Sequence, residues 1–296
     1  MDKTSIKAQR LGSLFCILGA LSWGISGACS QAFFRDYAVD TVWVFALRLG
    51  VSGLILFPYS LITKKISFKA LKADPRGCLD ILIFTLMGLM LCQMSYISAI
   101  RWTNAGTATV LQNLSVVYVA VVTCVITRRL PEKRVVLCII LALLGVFLIA
   151  TGGRFDSLQL TPKGMFWGFM AGVGAGSYTL LSVKPVKKWG SSPILGLGMF
   201  AGGLIVVPLT KAWQIPDCLD LRGWLLLGAI VIVGTVISFG FFLSGIRLVG
   251  PVKGALLGCL EPLVATLLSV VWLHTSFSIA DIFGFICIML TVLLVP

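Results

Sequence analysis

Long apolar runs separated by short polar gaps make up most of the chain. Ten can be drawn, at residues 11–32, 41–62, 79–99, 105–126, 135–151, 164–183, 193–211, 223–243, 251–272 and 279–295. The hydrocarbon core of a bilayer is about 30 Å thick, so a crossing helix needs roughly 20 apolar residues. The runs are continuously apolar rather than alternating, which predicts helices and not barrel strands. The fifth run is short, yet Leu137 to Ala150 contains no charge. The pattern therefore predicts an all-α membrane protein with ten transmembrane helices. Lys3, Lys7 and Arg10 precede the first run as they would in a secretory signal. That run is too long for a signal's apolar segment and nine more follow it, so it is read as a span.

Composition removes the other classes. The chain of 296 residues is 58% apolar and 12% charged, with a mean hydropathy of +1.02. A soluble domain has about 25% charged residues, and a disordered chain lacks this much apolar surface. The net charge of +13 would suit a nucleic-acid partner, but the basic residues sit in the gaps between spans. With the N-terminus placed inside, seventeen Lys and Arg fall on the inner side and six on the outer, with Arg48 inside a span. That asymmetry predicts a multi-pass protein of the cell membrane with both termini cytoplasmic. It also accounts for the basicity without nucleic acid. Trp43, Trp102, Trp189, Trp213, Trp224 and Trp272 fall at predicted span ends, where interfacial rings settle, whereas Trp23 lies mid-span. The nine cysteines form no C-x-x-C pair and no Cys/His cluster, and Cys16, Cys29, Cys92, Cys124, Cys138, Cys259 and Cys287 lie inside apolar runs as small hydrophobes, so no metal, disulfide or cofactor is expected.

The chain divides into two halves, 11–151 and 164–295, joined by a polar linker from Gly152 to Lys163. Ala108 to Val122 weakly matches Ala255 to Leu268 at a shift of 146–147. Each half holds five predicted spans. An odd number turns the second copy upside down, giving two inverted five-helix repeats with a substrate site near the membrane midplane.

Several stretches resemble a known family: LSWGISG (Leu21 to Gly27), LRLGVSGLILFP (Leu47 to Pro58), SYISAIRWTNAGTATVLQNLS (Ser95 to Ser115) and LEPLVATLLS (Leu260 to Ser269). Taken in order they are similar to the EamA-like branch of the drug/metabolite transporter superfamily. The resemblance implies ten spans, two EamA-type repeats, and proton-coupled or facilitated export of small metabolites, often amino acids. The chain departs from the family pattern at Val116, where Pro is frequent, and at Arg129 and its second-half counterpart Thr275, where the first half often has Glu.

Ionisable groups within the membrane cost roughly 2.5–3.5 kcal/mol on insertion scales and need a reason to be there. Glu261 lies mid-span before Pro262, on a face shared with Gly254, Gly258 and Ala265. It reads either as a protonated group in a tight packing face or as a proton- or cation-carrying carboxylate. Arg48 reads as snorkelling to the interface, as pairing with Asp36 or Asp40, or as binding a substrate carboxylate. His274, the sole histidine, reads as interfacial or proton-sensing. Neutral polar stripes add Trp23 and Ser26 in the first span, Gln93 and Tyr96 in the third, Gln112 and Asn113 in the fourth, Tyr178 in the sixth, and Ser238 and Phe242 in the eighth. Each stripe alone is compatible with helix packing. Together they suggest a mixed aromatic and polar cavity for a small amphiphilic molecule.

The expected function is a secondary transporter of small metabolites, foremost an exporter of amino acids or related compounds working by alternating access, with proton coupling through Glu261 or Arg48 as candidates. No Walker motif is present, so the driving force would be a gradient. The alternatives are a flippase for lipids or lipid-linked sugars and an importer of a small organic cation. A membrane enzyme is disfavoured because no nucleophile–base set or metal-ligand cluster is visible. Expected partners are a small-molecule substrate and membrane lipid.

Overall fold

The computed structural model describes residues 3–62, 73–128, 133–154, 159–249, 257–258 and 260–294. The basic gap residues Lys64, Lys65, Lys69 and Lys72, together with Arg129, Asp156, Lys253, Gly254 and Cys259, lie outside them. Among the described residues the structure is helical, with no strand. In chain order the helices are α1 (Lys3–Asp36), α2 (Thr41–Ile62), α3 (Pro75–Trp102), α4 (Ala105–Gln112), α5 (Ser115–Thr127), α6 (Lys133–Thr151), α7 (Pro162–Trp189), α8 (Ser191–Thr210), α9 (221–249), α10 (Leu260–Val271) and α11 (Ile279–Leu294). Helices α4 and α5 form one apolar rod interrupted at Asn113 and Leu114. Seven helical segments are long and apolar enough to cross a membrane, and α10 and the Ile279–Leu290 part of α11 are shorter apolar helices. Helix α7 is long but is not among the seven. Gly168, Gly172, Gly174 and Gly176 dilute its hydropathy.

Helix starts follow local sequence. Asn104, Thr161 and Asp220 each accept a hydrogen bond from the backbone N–H three residues on, which satisfies a donor the helix leaves free. Helices α3 and α9 each contain a π-helical stretch, at Phe84–Met90 and Ala229–Ile237. Such a stretch loosens the regular ladder and is often found at functional sites.

Glycines set the helix spacing. Apolar surface gives helices little reason to associate within lipid, so close backbone approach carries the packing. A Cβ on Gly53 would lie 2.6 Å from the Phe200 backbone, and one on Gly203 would lie 2.8 Å from Gly50 Cα. One on Gly196 would lie 2.8 Å from the Leu56 carbonyl. Residue numbers rise along α2 as they fall along α8, so the two helices run antiparallel. Gly12, Gly19 and Gly245 bring α1 against α9, Gly174 brings α7 against α3, and Gly145 meets Gly284 between α6 and α11. Phe33, Leu49, Phe84, Met199 and Ile230 fill the centre, while Leu54, Val125, Leu143, Leu209 and Leu267 face outward. An apolar exterior of this extent suits lipid contact.

The two described ends of the chain fall at the same end of the bundle. At the end of α1, Asp36 is 2.8 Å from Arg222 at the start of α9. Gln31 Nε2 donates to Thr275 Oγ1, just before α11, at 2.8 Å. Helices α9 and α11 thus begin where α1 finishes. Trp43 departs from the interfacial expectation: it is buried and its Nε1 donates to the Gln214 carbonyl at 2.9 Å. The covering chain segment at 211–214 folds over it. Trp102, Trp213, Trp224 and Trp272 are exposed.

Candidate functional site

Polar side chains from α2, α3, α4, α5, α7 and α10 converge with aromatic rings on a cavity of about 180 Å³ among apolar helices. Its lining includes Trp23, Arg48, Gln93, Tyr96, Gln112, Tyr178 and Glu261, all of them named from the sequence as candidates. Leu89, Cys92, Ser115, Ala175, Thr179 and Phe239 complete it.

Arg48 is 4% exposed. Its Nε donates to Thr235 Oγ1 at 2.7 Å and its Nη2 to the Gly234 carbonyl at 3.1 Å. Both acceptors belong to the π-helical stretch of α9, where the disturbed ladder leaves a carbonyl available to a side chain. Two of the sequence readings are overturned. Arg48 does not snorkel to an interface, because it is buried at the centre. Nor does it pair with Asp36, which is engaged by Arg35 and Arg222, or with any described carboxylate within 4 Å. Nη1 takes no partner among the described residues and is left for the cavity that Arg48 lines.

Glu261 approaches from α10, where Gly24 permits the contact: a Cβ there would lie 2.9 Å from the Glu261 carbonyl and 2.7 Å from Val264. The Tyr96 hydroxyl lies 2.9 Å from Thr109 Oγ1 and lines the cavity together with Glu261. Gly27 leaves room for that hydroxyl, since a Cβ there would stand 2.9 Å from it. The LSWGISG stretch is thereby explained. Trp23 lines the cavity while Gly24 and Gly27 admit the Glu261 backbone and the Tyr96 hydroxyl.

Gln93 is 4% exposed, and neither its Nε2 nor its Oε1 has a hydrogen-bond partner. Gln112 Oε1 is likewise buried without one. Such orphans are uncommon in native interiors and call for an explanation. On the aromatic side, Trp23 meets Phe239 edge-on at 5.1 Å between centroids, and Tyr178 lies 5.3 Å from Phe84 and 6.3 Å from Phe239. Gly174, one turn before Tyr178, seats against Cys92 and holds the ring in place.

Four sequence candidates lie outside the lining. Ser26 donates to the Ile230 carbonyl at 3.4 Å. Asn113 turns its amide to the Thr109 carbonyl at 3.0 Å and toward Met289. Ser238 bonds the Thr235 carbonyl at 3.5 Å. Phe242 supports Trp23 from behind at 4.7 Å. The first three use their polar atoms on backbone, so a helical stripe alone did not separate them from cavity residues. Phe239 was missed because the helical spacing from Thr235 and Ser238 picks out Phe242, while the ring that lines the cavity is Phe239.

Away from the chain termini the site is capped by a polar network. Gln31, eight residues beyond Trp23 on α1, accepts from Ala105 N at 2.8 Å and from Ser269 Oγ at 2.9 Å. Arg101 Nη1 donates to the Val39 carbonyl at 2.7 Å. Tyr37 donates to Asp220, and this bond, with the Gly223 N–H, holds that carboxyl below the usual range. At the opposite end Lys188 reaches Asp74, lowering its pKa. His274 is exposed and stands apart from the cavity. Among the described residues no three His, Cys, Asp or Glu side chains cluster as metal ligands.

A multi-pass helical bundle with a small polar chamber at its centre defines a membrane transporter of small molecules. The chain belongs to the EamA-like transporter family, whose pattern matches residues 10–151 and again 162–295. It is 32% identical to the uncharacterized inner membrane transporter YicL of Salmonella typhimurium, across 97% of this chain and 96% of that one. Protein PecM of Dickeya dadantii is 30% identical over 46% of this chain and 47% of its own. The uncharacterized transporter YwfM of Bacillus subtilis is 24% identical over 96% and 93%. A solved crystal structure shares the fold with a TM-score of 0.60 at 16% identity, covering 97% of this chain and 96% of that one.

Proposed function

We propose that the protein is a secondary transporter exporting an amino-acid-sized metabolite by alternating access, built as two inverted five-helix repeats, 11–151 and 164–295, with both termini cytoplasmic. The observation that carries this reading is the buried Arg48 beside Glu261 in one small chamber. A guanidinium with an unfilled edge is suited to a substrate carboxylate. A carboxyl in the same chamber is suited to an ammonium or a transported proton, and the rings of Trp23 and Tyr178 are suited to the side chain or to a cation.

The repeat reading is supported by a register stronger than the one near the fourth spans. An offset of 150 pairs Leu47, Gly53, Leu54, Ile55 and Pro58 with Leu197, Gly203, Leu204, Ile205 and Pro208. The same offset exchanges the contact of Gly53 on Phe200 with that of Gly203 on Gly50. Antiparallel helices whose contacts interchange in this way favour a two-fold axis lying in the membrane plane. The seventeen-to-six basic asymmetry supports inner termini.

A lipid substrate is less well supported. The larger groove, about 560 Å³ between α5, α6 and α7, is lined by apolar residues with Tyr118 as its one hydroxyl, and offers a headgroup nothing to bind. The test is counterflow in proteoliposomes against amino acids, amines, nucleosides and choline. Trp23→Ala and Tyr178→Ala should weaken the responding solute's binding by tenfold or more at near-normal expression. Loss of expression alone would assign both rings to packing.

A further inference from the structure

The two orphaned atoms of Gln93 are a demand made by the site on whatever occupies it. A buried amide left without partners is disfavoured by about 1–3 kcal/mol for each unpaired group, so a site that keeps one gains by filling it. The donor and acceptor of a glutamine lie side by side in one plane. The edge that answers them is another planar donor–acceptor pair, as in a primary carboxamide or a cyclic amide. An ester or ether, which only accepts, leaves Oε1 unpaired. An ammonium, which only donates, leaves Nε2 unpaired. Gln112 Oε1, also unpartnered on the same lining, adds a second acceptor for the remaining N–H of an amide.

Neighbouring residues do not relieve the demand. Tyr96 shares its hydroxyl with Thr109 Oγ1 at 2.9 Å. Arg48 spends one edge on α9. Ser95, on the same helix, donates back to the Leu91 carbonyl at 2.6 Å. Thr179, across the cavity, donates to the Ala175 carbonyl at 2.9 Å. The cavity, at about 180 Å³, is well below the several hundred typical of drug-sized ligands and limits the occupant to a small solute.

We propose that Gln93 is the specificity-determining residue of the chamber and that it selects small solutes bearing a carboxamide or equivalent donor–acceptor edge. The inference rests on the transporter reading above and adds a substrate feature to it.

The test compares matched amides and esters on purified protein in nanodiscs, by titration and by thermal stabilisation. The pairs are glutamine with its γ-methyl ester and nicotinamide with methyl nicotinate, so that the edge is varied on two unrelated frames. Wild type should bind the amide at least tenfold more tightly than its ester in one or both pairs. Gln93→Leu should bring that ratio to within about twofold of unity, while Gln93→Glu, which keeps the acceptor and loses the donor, should also forfeit the preference. Monodispersity and an unfolding midpoint near wild type establish that each variant is folded, and Gln93→Met serves where Gln93→Leu is not. A wild type indifferent to amide or ester, or a preference that survives the Gln93 changes, overturns the proposal. If other solutes still give counterflow that depends on Trp23 and Tyr178, the transporter reading stands and the Gln93 assignment alone falls. If no solute gives counterflow or binding, both fall.

Discussion

Replacing Arg48 separates a binding role from a structural one, because the two make opposite demands. Arg48→Leu removes hydrogen bonds of 2.7 and 3.1 Å to Thr235 and the Gly234 carbonyl. Leaving a buried acceptor unpaired costs about 1–3 kcal/mol. Against this, a guanidinium that no described carboxylate pairs carries a desolvation penalty of several kcal/mol, on the order of the lost bonds, and Arg48→Leu relieves it. The terms nearly cancel, so the folded protein should survive with its unfolding midpoint shifted by only a few degrees. Binding has no such offset. A charge-assisted bond from Arg to a substrate carboxylate is worth about 1.5–3 kcal/mol, which corresponds to roughly 10- to 150-fold in affinity. Arg48→Lys should fall between, keeping the charge but unable to reach both α9 acceptors and present a planar edge to the ligand. The assay is titration of the solute with the strongest counterflow, paired with thermal unfolding of each variant. Unchanged affinity for a carboxylate-bearing solute in Arg48→Leu refutes the reasoning. A variant that cannot be purified folded, together with a similar failure of Thr235→Val, would assign the pair to structure.

Glu261→Gln should retain solute binding within a fewfold but lose transport driven by a pH gradient, and wild-type proton-driven flux in that variant would remove Glu261 from coupling. Gly174→Ala places a Cβ 2.7 Å from Cys92 Cα, a backbone clash no rotamer relieves. Overpacking of this kind costs about 1–3 kcal/mol, so a lowered unfolding midpoint is expected, and an unchanged one would contradict the close approach of α3 and α7. Tyr37→Phe removes the largest cause of the lowered Asp220 pKa. A depressed folded-state pKa gives stability that is fully present above the ordinary carboxylate pKa and is lost as pH falls through the depressed value. The difference in midpoint between wild type and Tyr37→Phe should therefore be largest near neutral pH and vanish in strong acid, and a pH-independent difference would refute the linkage.

Helices were legible from the sequence because a bilayer imposes one requirement on every span, an unbroken apolar stretch that satisfies its own backbone. Candidate site residues were legible where a polar or aromatic group stood alone in such a stretch, as Arg48, Gln93, Tyr96 and Glu261 do. Serines and threonines were ambiguous. In a helix they can return their hydroxyl to a carbonyl one turn back, as Ser22 does to Leu18 at 2.7 Å and Ser30 to Ser26 at 2.8 Å, and so need no cavity. Thr235 could be picked out as one of a polar stripe in the eighth span, but not as the acceptor of Arg48, and the Gly234 carbonyl carried no signal. Both acceptors lie in the π-helical stretch of α9, which packs against α1 and α2.

The offset of 150 shows where the two halves agree and where they part. Packing positions are kept, as Gly53 with Gly203 and Pro58 with Pro208. The hydroxyl that receives Arg48, Thr235, has its counterpart in Thr85, which donates within its own helix to the Ile81 carbonyl at 2.8 Å. Arg48 itself corresponds to Gly198, where a Cβ would stand 3.1 Å from Thr85 Oγ1. Gln93 corresponds to Leu243 and Tyr96 to Ile246. Thus the glycine contacts that fix helix spacing recur at the paired positions, while the Arg48 guanidinium and the orphaned Gln93 amide come from the first half and the Glu261 carboxyl and Tyr178 ring from the second. On the proposed inverted-repeat reading, matched packing lets each half take the other's conformation, whereas one substrate in one chamber needs each recognising group only once. Moving the charge tests that division. Arg48→Gly with Gly198→Arg puts a long side chain where a Cβ alone would stand 3.1 Å from Thr85 Oγ1 and 3.2 Å from Leu89, so a lowered unfolding midpoint is expected, with carboxylate binding lost because the guanidinium no longer stands beside Gln93 and Glu261. Retained binding in that exchange would mean that the guanidinium serves equally from either half, contrary to its placement beside Gln93.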